Sequence, residues 1–496
     1  MALFTVRRAR RMRLRGTRNM RSLGFFLKEK SWLIIAFIVG LLLFIAPTPD
    51  GLTDASKTVL VISVVAVILF VTEPVPLPAV AFMIVIAQVF LLQGVDSKQV
   101  AQSLMSDSVL FIMGSLMLAV AIVKQKLDKR LAYLIVRMTG TRTLNISVGI
   151  ALVSGLMASV IGEHTVAAMM LPVAIILITL TSDDPKKVRG LAAVLLFSIA
   201  YGCSIAGIGT PSGGARNAIM IGYWKEFYYV EGDASTAKYL VDYLAWIKVA
   251  YPVFLAQLPF VVGILFLTFK PEYKHLTRSV VKLRTMVEKE GPMKSSDWIA
   301  IMVFFATLLG WIFFSSELGL GIIALMGAVA YMLLGLVRWE DLNSGVNWGV
   351  VWLYAAAISL GIQMRDTGAA LWVADSFLGV LPPGMDEGIG LLASVSVLTT
   401  LVTNTMSNGA AVAVLGPISL NMAATTGESP LVLGFITSIS SAFAYLTVIG
   451  TPACTIVYAS GYLKTTDFLK VGWKMVIMST LVLLAFAAFY WPAIGL

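Results

Sequence analysis

Charge is what this sequence has least of. Asp, Glu, Lys and Arg make up 13% of its 496 residues and 58% are hydrophobic, whereas soluble domains carry about a quarter charged. So little charge excludes a chain bathed in water along most of its length. Cysteine is nearly absent as well. Cys203 and Cys454 are too few for a disulfide framework or a thiolate metal site, and read as small residues in packed helices. Of the two histidines, His164 and His275, neither belongs to a His-Glu-x-x-His pair, which excludes the zinc-protease motif. Ser212, in the stretch TPSGG, has only His275 downstream of it, in a charged segment, so a hydrolase triad finds no support. The chain is therefore not expected to be an enzyme or to carry a cofactor. Strand-type alternation is missing too, which excludes a membrane β-barrel.

What is present is a succession of apolar runs, many near the length of about 20 residues that a membrane-spanning helix needs. The expected fold is an all-α polytopic membrane protein with about 11 transmembrane helices. The formal net charge of +10 is concentrated in part in RRARRMRLRGTR (Arg7 to Arg18), which leads into the apolar run Trp32 to Ala46. Basic residues beside a membrane segment fix topology and touch anionic lipid, so no nucleic-acid partner is expected. No small-x-small cleavage site follows that run, so it is read as a helix and not as a signal peptide. Residues 1–30 form a cytoplasmic basic tail and 31–47 the first span. Charge at the later flanks places the N-terminus in the cytoplasm and the C-terminus outside a plasma (bacterial inner) membrane.

Two segments do not behave as single spans. Residues 143–181 lie between Arg142 and SDDPKKVR, so both ends carry the cytoplasmic charge label. They are too long for one span and are expected to fold as a re-entrant hairpin of two short helices. Gly162, Glu163, His164 and Thr165 sit at its tip. Non-helical backbone at membrane depth is tolerated where it lines a cavity or is buried in protein. Residues 388–424, interrupted by TNTMSNGAA (Thr403 to Ala411), have acidic flanks and form a second hairpin from the opposite face. A glycine- and proline-rich break, GIGTPSGGARN (Gly207 to Asn217), divides a span over 191–222, and VIGTPACT (Val448 to Thr455) divides one over 433–462.

Pro172 and Pro417, which close the two tips, are 245 residues apart (417 − 172), and Ile-Gly-Thr-Pro recurs at Ile208 and Ile449 with a spacing of 241 (449 − 208). Hairpins and breaks thus recur in halves of opposite orientation, an inverted repeat. The first repeat covers 57–268 and the second 297–496, with the charged segment 269–296 as a cytoplasmic linker. Inverted repeats with hairpins and broken helices describe a secondary transporter with a site near the midplane. Paired helix N-termini suit a small anion. The hydroxyls and amides at the tips, Thr165, Thr405, Ser407 and Asn408 among them, either bind it or merely cap short helices.

At this point the sequence resembles the divalent-anion:sodium symporters, the DASS family of dicarboxylate, citrate and sulfate transporters. TEPVPLPAVA is similar to the family's proline-rich turn. HTVAAMMLPVA and SNGAAVAVLGP resemble the stretches after its two Ser-Asn-Thr tips, and SIAGIGTPSGGARN and FAYLTVIGTPACTIVYASGYL its two broken helices. The resemblance implies a homodimer with scaffold and transport subdomains and elevator-type movement. It implies substrate and ion contacts at Gly162, Glu163, His164, Gly213, Gly214, Asn217, Ser407, Asn408, Gly409, Gly450, Thr451 and Pro452, with sodium near Ser407, Asn408 and Gly450. Its register pairs Gly213 with Gly450, four residues off the Ile-Gly-Thr-Pro match.

The departures lie at the site. Gly162, Glu163 and His164 stand where the first Ser-Asn-Thr is expected, Arg216 enters the first break, and Cys454 replaces an asparagine in the second. Ionisable groups at membrane depth are costly and are usually paired or functional. Three readings stay open. Glu163 and Arg216 form an internal ion pair, or His164 or Arg216 replaces the charge of sodium, or Glu163 or His164 carries a proton. The expected function is secondary transport of small divalent anions, such as succinate, malate, 2-oxoglutarate or citrate, with altered or absent sodium coupling. The alternatives are a sodium- or proton-coupled sulfate/dicarboxylate symporter and, in another class, a cation/proton antiporter or channel.

Overall fold

The computed structural model describes residues 30–125, 138–182, 184–288 and 293–496. The basic tail up to residue 29, most of the basic stretch Lys124 to Arg130 and part of the expected linker lie outside the described residues. The described residues are helical, with one isolated bridge between Arg142 and His275.

Helix α1 (Ser31–Ile45) leaves Phe37, Leu41 and Ile45 uncovered by protein. α2 (Asp54–Thr72) is opened by Thr53, whose hydroxyl accepts from the Ser56 N–H at 3.1 Å. It ends at Glu73, whose φ of 42° is the one positive value among described residues other than glycine. Pro74 and Pro76 stop the helix there and release α3 (Leu77–Leu91). After α4 (Asp107–Lys124) come α5 (Thr143–Ile161) and α6 (Glu163–Thr181), joined by Gly162 alone. Its φ of 91° and ψ of 145° suit glycine and strain any residue with a side chain.

α7 (Arg189–Ala206) is the centre of the molecule, with every residue from Leu191 to Ala206 buried. A helix apolar on all sides belongs in an interior. Gly202 lets it lie directly on α5, since a Cβ there would sit 2.8 Å from the Ala151 carbonyl oxygen. The chain then unwinds over 207–214 and resumes as α8 (Ala215–Tyr228), followed by α9 (Tyr243–Thr268).

α10 (Ser295–Leu318) and α11 (Leu320–Leu333) meet at Gly319. The carboxylate of Asp107 accepts from the Leu320 and Gly321 N–H groups at 3.2 and 2.9 Å, capping α11 from the start of α4. α12 (Trp348–Asp366) is bent by 64° from the short helix before it. α13 (Gly388–Thr403) and α14 (Asn408–Thr426) are joined by 404–407. α15 (Pro430–Ser440) ends in an unwound stretch, 441–451, before α16 (Pro452–Tyr458) and α17 (Thr465–Ala485).

Among the described residues, nine helices are long and apolar enough to cross a membrane, or ten if the bent pair is one span. α1, expected as the first span over 31–47, has only 15 residues, and the apolar helices α3 and α11 have 15 and 14. They rise about 21–23 Å, short of a hydrocarbon core of about 30 Å. α5 and α6, expected as short arms, have 19 residues each.

The helix starts carry a register. α6 and α14 begin at Glu163 and Asn408, 245 positions apart, the spacing of the two prolines. α8 and α16 begin two residues after Gly213 and Gly450, which follows the family register and not the Ile-Gly-Thr-Pro match. An aromatic cluster pins the first of these breaks. Phe435 packs against Trp224 and Trp246 at 4.8 and 4.9 Å, and the Trp246 indole donates to the Ile208 carbonyl at 2.8 Å.

Candidate functional site

The α5–α6 joint, the first break, the α13–α14 joint and the second break meet around one cavity of about 490 Å³. The joints contribute Gly162, Glu163, His164, Ser407, Asn408 and Gly409 to its wall, and the breaks contribute Gly213, Gly214, Arg216, Gly450 and Pro452. The wall across from them comes from α2, α4 and α12, through Phe70, Phe111, Ile112 and Tyr354. α6, α8, α14 and α16 all begin at this cavity, where first-turn N–H groups lack helical partners and the positive dipole ends gather.

Side chains hold the unwound stretches open. Asn217 donates to the carbonyls of Gly207 and Thr210 at 2.8 and 2.7 Å, and accepts from the Ser438 hydroxyl at 3.1 Å. The Thr210 hydroxyl donates to the Ser159 carbonyl, tying the break to the end of α5. In the second half Asn404 does the same work. Its amide donates to Thr400 and Phe443 carbonyls at 2.7 and 3.2 Å, and its oxygen accepts from the Leu446 N–H at 2.9 Å. Backbone groups freed by the breaks are thus satisfied without helix.

Glu163 joins the two halves. Its Oε1 accepts from Arg216 Nη1 at 3.4 Å and from Asn408 Nδ2 at 3.2 Å. Asn408 in turn accepts at Oδ1 from the Thr403 hydroxyl at 3.0 Å, and that hydroxyl also reaches the Ser441 carbonyl at 2.6 Å. Glu163, Arg216 and Asn408 are 6%, 2% and 4% exposed, so this is a buried charged network. It is not a saturated one, because Glu163 Oε2 and Arg216 Nε and Nη2 are buried with no hydrogen-bond partner.

Glycines make the seat of Arg216. A Cβ on Gly207 would lie 2.5 Å from Nη2, and one on Gly214 2.8 Å from Nη1. Gly207→Ala is therefore expected to push the guanidinium off its seat, losing at least tenfold in uptake rate, about 1.4 kcal/mol. Gly207 has an ordinary helical backbone, φ −61°, so alanine itself is not strained there. Uptake of the variant in proteoliposomes, with its melting temperature, checks this. Wild-type uptake would remove Arg216 from the site.

The remaining residues expected from sequence are placed as follows. His164 is exposed on the cavity, its Nε2 3.2 Å from the Thr165 hydroxyl. Thr165, Asn217, Thr405 and Thr451 are not in the cavity wall. Thr405 is exposed and donates to the Val402 carbonyl at 2.7 Å, while Thr451 caps α16 by accepting from the Cys454 N–H at 3.1 Å. Sequence reasoning missed Tyr354, Glu73 and Asn347, which line the cavity from outside the hairpins and breaks. One signal was available for Glu73, which stands in the TEPVPLP turn. For Tyr354 the sequence carries no signal, since its contact with Gly409, where any Cβ would overlap the Tyr354 ring, exists only in the fold.

The family model described as the sodium:sulfate symporter transmembrane region matches residues 27–496. The chain belongs to that family. Members of the sodium:sulfate symporter family are membrane transporters, and the all-helical, multi-pass build found here agrees. An uncharacterized transporter of Haemophilus influenzae is 28% identical, over 80% of this chain and 84% of its own. The sodium-dependent dicarboxylate transporter SdcS of Staphylococcus saprophyticus is 24% identical, over 93% and 90%. The sodium-dependent high-affinity dicarboxylate transporter 3 of Caenorhabditis elegans is 26% identical, over 81% and 77%. The solved YdaH transporter of Alcanivorax borkumensis, described as having an unusual topology, superposes at a TM-score of 0.50 with 14% identity. It covers 80% of this chain and 87% of its own, and speaks for the fold alone.

Proposed function

We propose that this chain is a secondary transporter of small divalent anions, di- or tricarboxylates such as succinate, malate, 2-oxoglutarate or citrate. The observation that carries the reading is the meeting of the starts of α6, α8 and α14 and one buried arginine on a single cavity. Helix N-termini and a guanidinium both favour carboxylate oxygens. The names of the staphylococcal and nematode relatives support a dicarboxylate as cargo. Ser407 and Asn408 of one joint, and His164 of the other together with Arg216 of the first break, are assigned to the two carboxylates. Hairpins and breaks of the two inverted repeats move together, in elevator fashion, against the remaining helices. The protein works as a homodimer in a bacterial inner membrane, with its N-terminus cytoplasmic and its C-terminus external.

Sodium coupling is altered in this reading. Asn408, assigned to a sodium site by family resemblance with Ser407 and Gly450, directs its amide to Glu163 and accepts from Thr403 at its oxygen. The same relatives' names favour a second reading, a sodium-coupled dicarboxylate symporter. Purified protein in proteoliposomes separates them. Labelled succinate should enter vesicles preloaded with unlabelled dicarboxylate in sodium-free buffer. Uptake only with an inward sodium gradient would establish the second reading, and cation flux without anion flux would overturn both.

A further inference from the structure

The Glu163–Arg216 pair is incomplete. A single hydrogen bond of 3.4 Å joins them, from Nη1 to Oε1, while Oε2, Nε and Nη2 are buried and unpartnered. A fully engaged guanidinium and carboxylate make two parallel bonds of about 2.7–2.9 Å. Each unmet group in a buried site carries a desolvation cost. The contact is thus close enough to cancel two charges and too long and too sparse to lock them. A carboxylate from outside the chain, making short bonds to the guanidinium where Arg216 meets the cavity, would outcompete it. Asn408, which already donates to Glu163 at 3.2 Å from the other joint, is placed to keep the displaced carboxylate.

We propose that Glu163 is a built-in stand-in for the substrate, holding Arg216 while the site is empty and yielding it to a carboxylate of the arriving dianion. The proposal rests on the reading of the chain as an anion carrier. It has a consequence for the transport cycle. With Glu163 on Arg216 the empty site carries no net charge from the pair, so it can cross the membrane without dragging an uncompensated cation through low dielectric, and in the loaded site the positive helix starts at the cavity offset the dianion. Empty return permits net movement of substrate. A fixed, unpaired arginine at the same place would hold the empty carrier back and leave exchange as its one mode. Glu163 is in this sense a positioning residue that sets the mode of transport.

The test loads proteoliposomes with labelled succinate, with equal potassium on both sides and valinomycin to clamp the potential, and compares efflux into buffer without dicarboxylate (net) and with unlabelled succinate (exchange). Wild type should show net efflux within about tenfold of exchange. In Glu163→Gln the ratio of net efflux to exchange should fall by about tenfold or more, about 1.4 kcal/mol of added cost for the empty site. Glu163→Asp, which keeps the charge, should restore most of that ratio. A merely structural role for Glu163 would lower both fluxes together and leave the ratio unchanged, and that result overturns the proposal. So does exchange without net efflux in wild type, a measurement that needs no variant to fold. Absence of both fluxes in wild type would instead strike the anion-carrier reading, and the proposal with it.

Discussion

Arg216→Ala is expected to lower the melting temperature of the detergent-purified protein by several degrees and to weaken dicarboxylate binding about ten- to hundredfold. The first effect follows from what is left behind. Glu163 is 6% exposed, and without Arg216 its carboxylate keeps one donor, Asn408. Removing one partner of a buried pair costs about 3–5 kcal/mol because the other charge is stranded. The pair here is loose, which places the expected loss at the lower end of that range. The second effect follows from the cavity, since a desolvated charge-assisted hydrogen bond contributes about 1.5–3 kcal/mol. The two parts can be told apart with Glu163→Gln plus Arg216→Gln, which removes both charges and leaves neutral amides that can still hydrogen-bond. Melting should then recover most of the loss, while binding should not. Recovery of both would show that the pair only braces the joints.

Asn408→Ala should cut uptake at least tenfold, about 1.4 kcal/mol in transition-state or binding free energy. Asn408 links the α13–α14 joint to the α5–α6 joint, donating to Glu163 and accepting from Thr403. Its loss would leave Thr403 satisfied by the Ser441 carbonyl at 2.6 Å, so that side of the network should hold. Glu163 would keep Arg216. Stability should therefore fall only by about 1–2 kcal/mol, the size of one or two buried hydrogen bonds. Asn408→Asp should be worse than alanine for uptake, because it sets a second carboxylate against Glu163. Initial uptake rates and melting curves on the two variants check both statements. An alanine variant with wild-type uptake would take the second joint out of the site.

Much of this arrangement was legible because a membrane chain tolerates few exceptions. Gly162-Glu163-His164 in an apolar run has no packing purpose, and Gly207 to Gly214 has too much glycine and proline to remain helix. Both positions are where the helices break. The pairing of Glu163 with Arg216 was one of three open readings, and the structure shows the contact. What stayed illegible is what depends on which helix lies beside which. Tyr354 is an ordinary tyrosine in the α12 sequence until Gly409 of α14 is laid against it. Thr165 and Thr405 had the right chemistry at the right positions, but at a joint one residue of helical phase decides whether a hydroxyl faces the cavity or a neighbour, here the His164 ring for Thr165 and the Val402 carbonyl for Thr405. The length of α1 was overestimated because apolar residues continue past the last helical turn, where hydropathy alone gives no stop.

The most direct test of a dianion site between the two joints is equilibrium binding of labelled succinate to the purified protein in sodium-free buffer. Wild type should bind saturably, about one per chain, with competition by malate, and both Asn408→Ala and Arg216→Ala should weaken binding at least tenfold. Binding of equal strength in wild type and both variants would contradict the account.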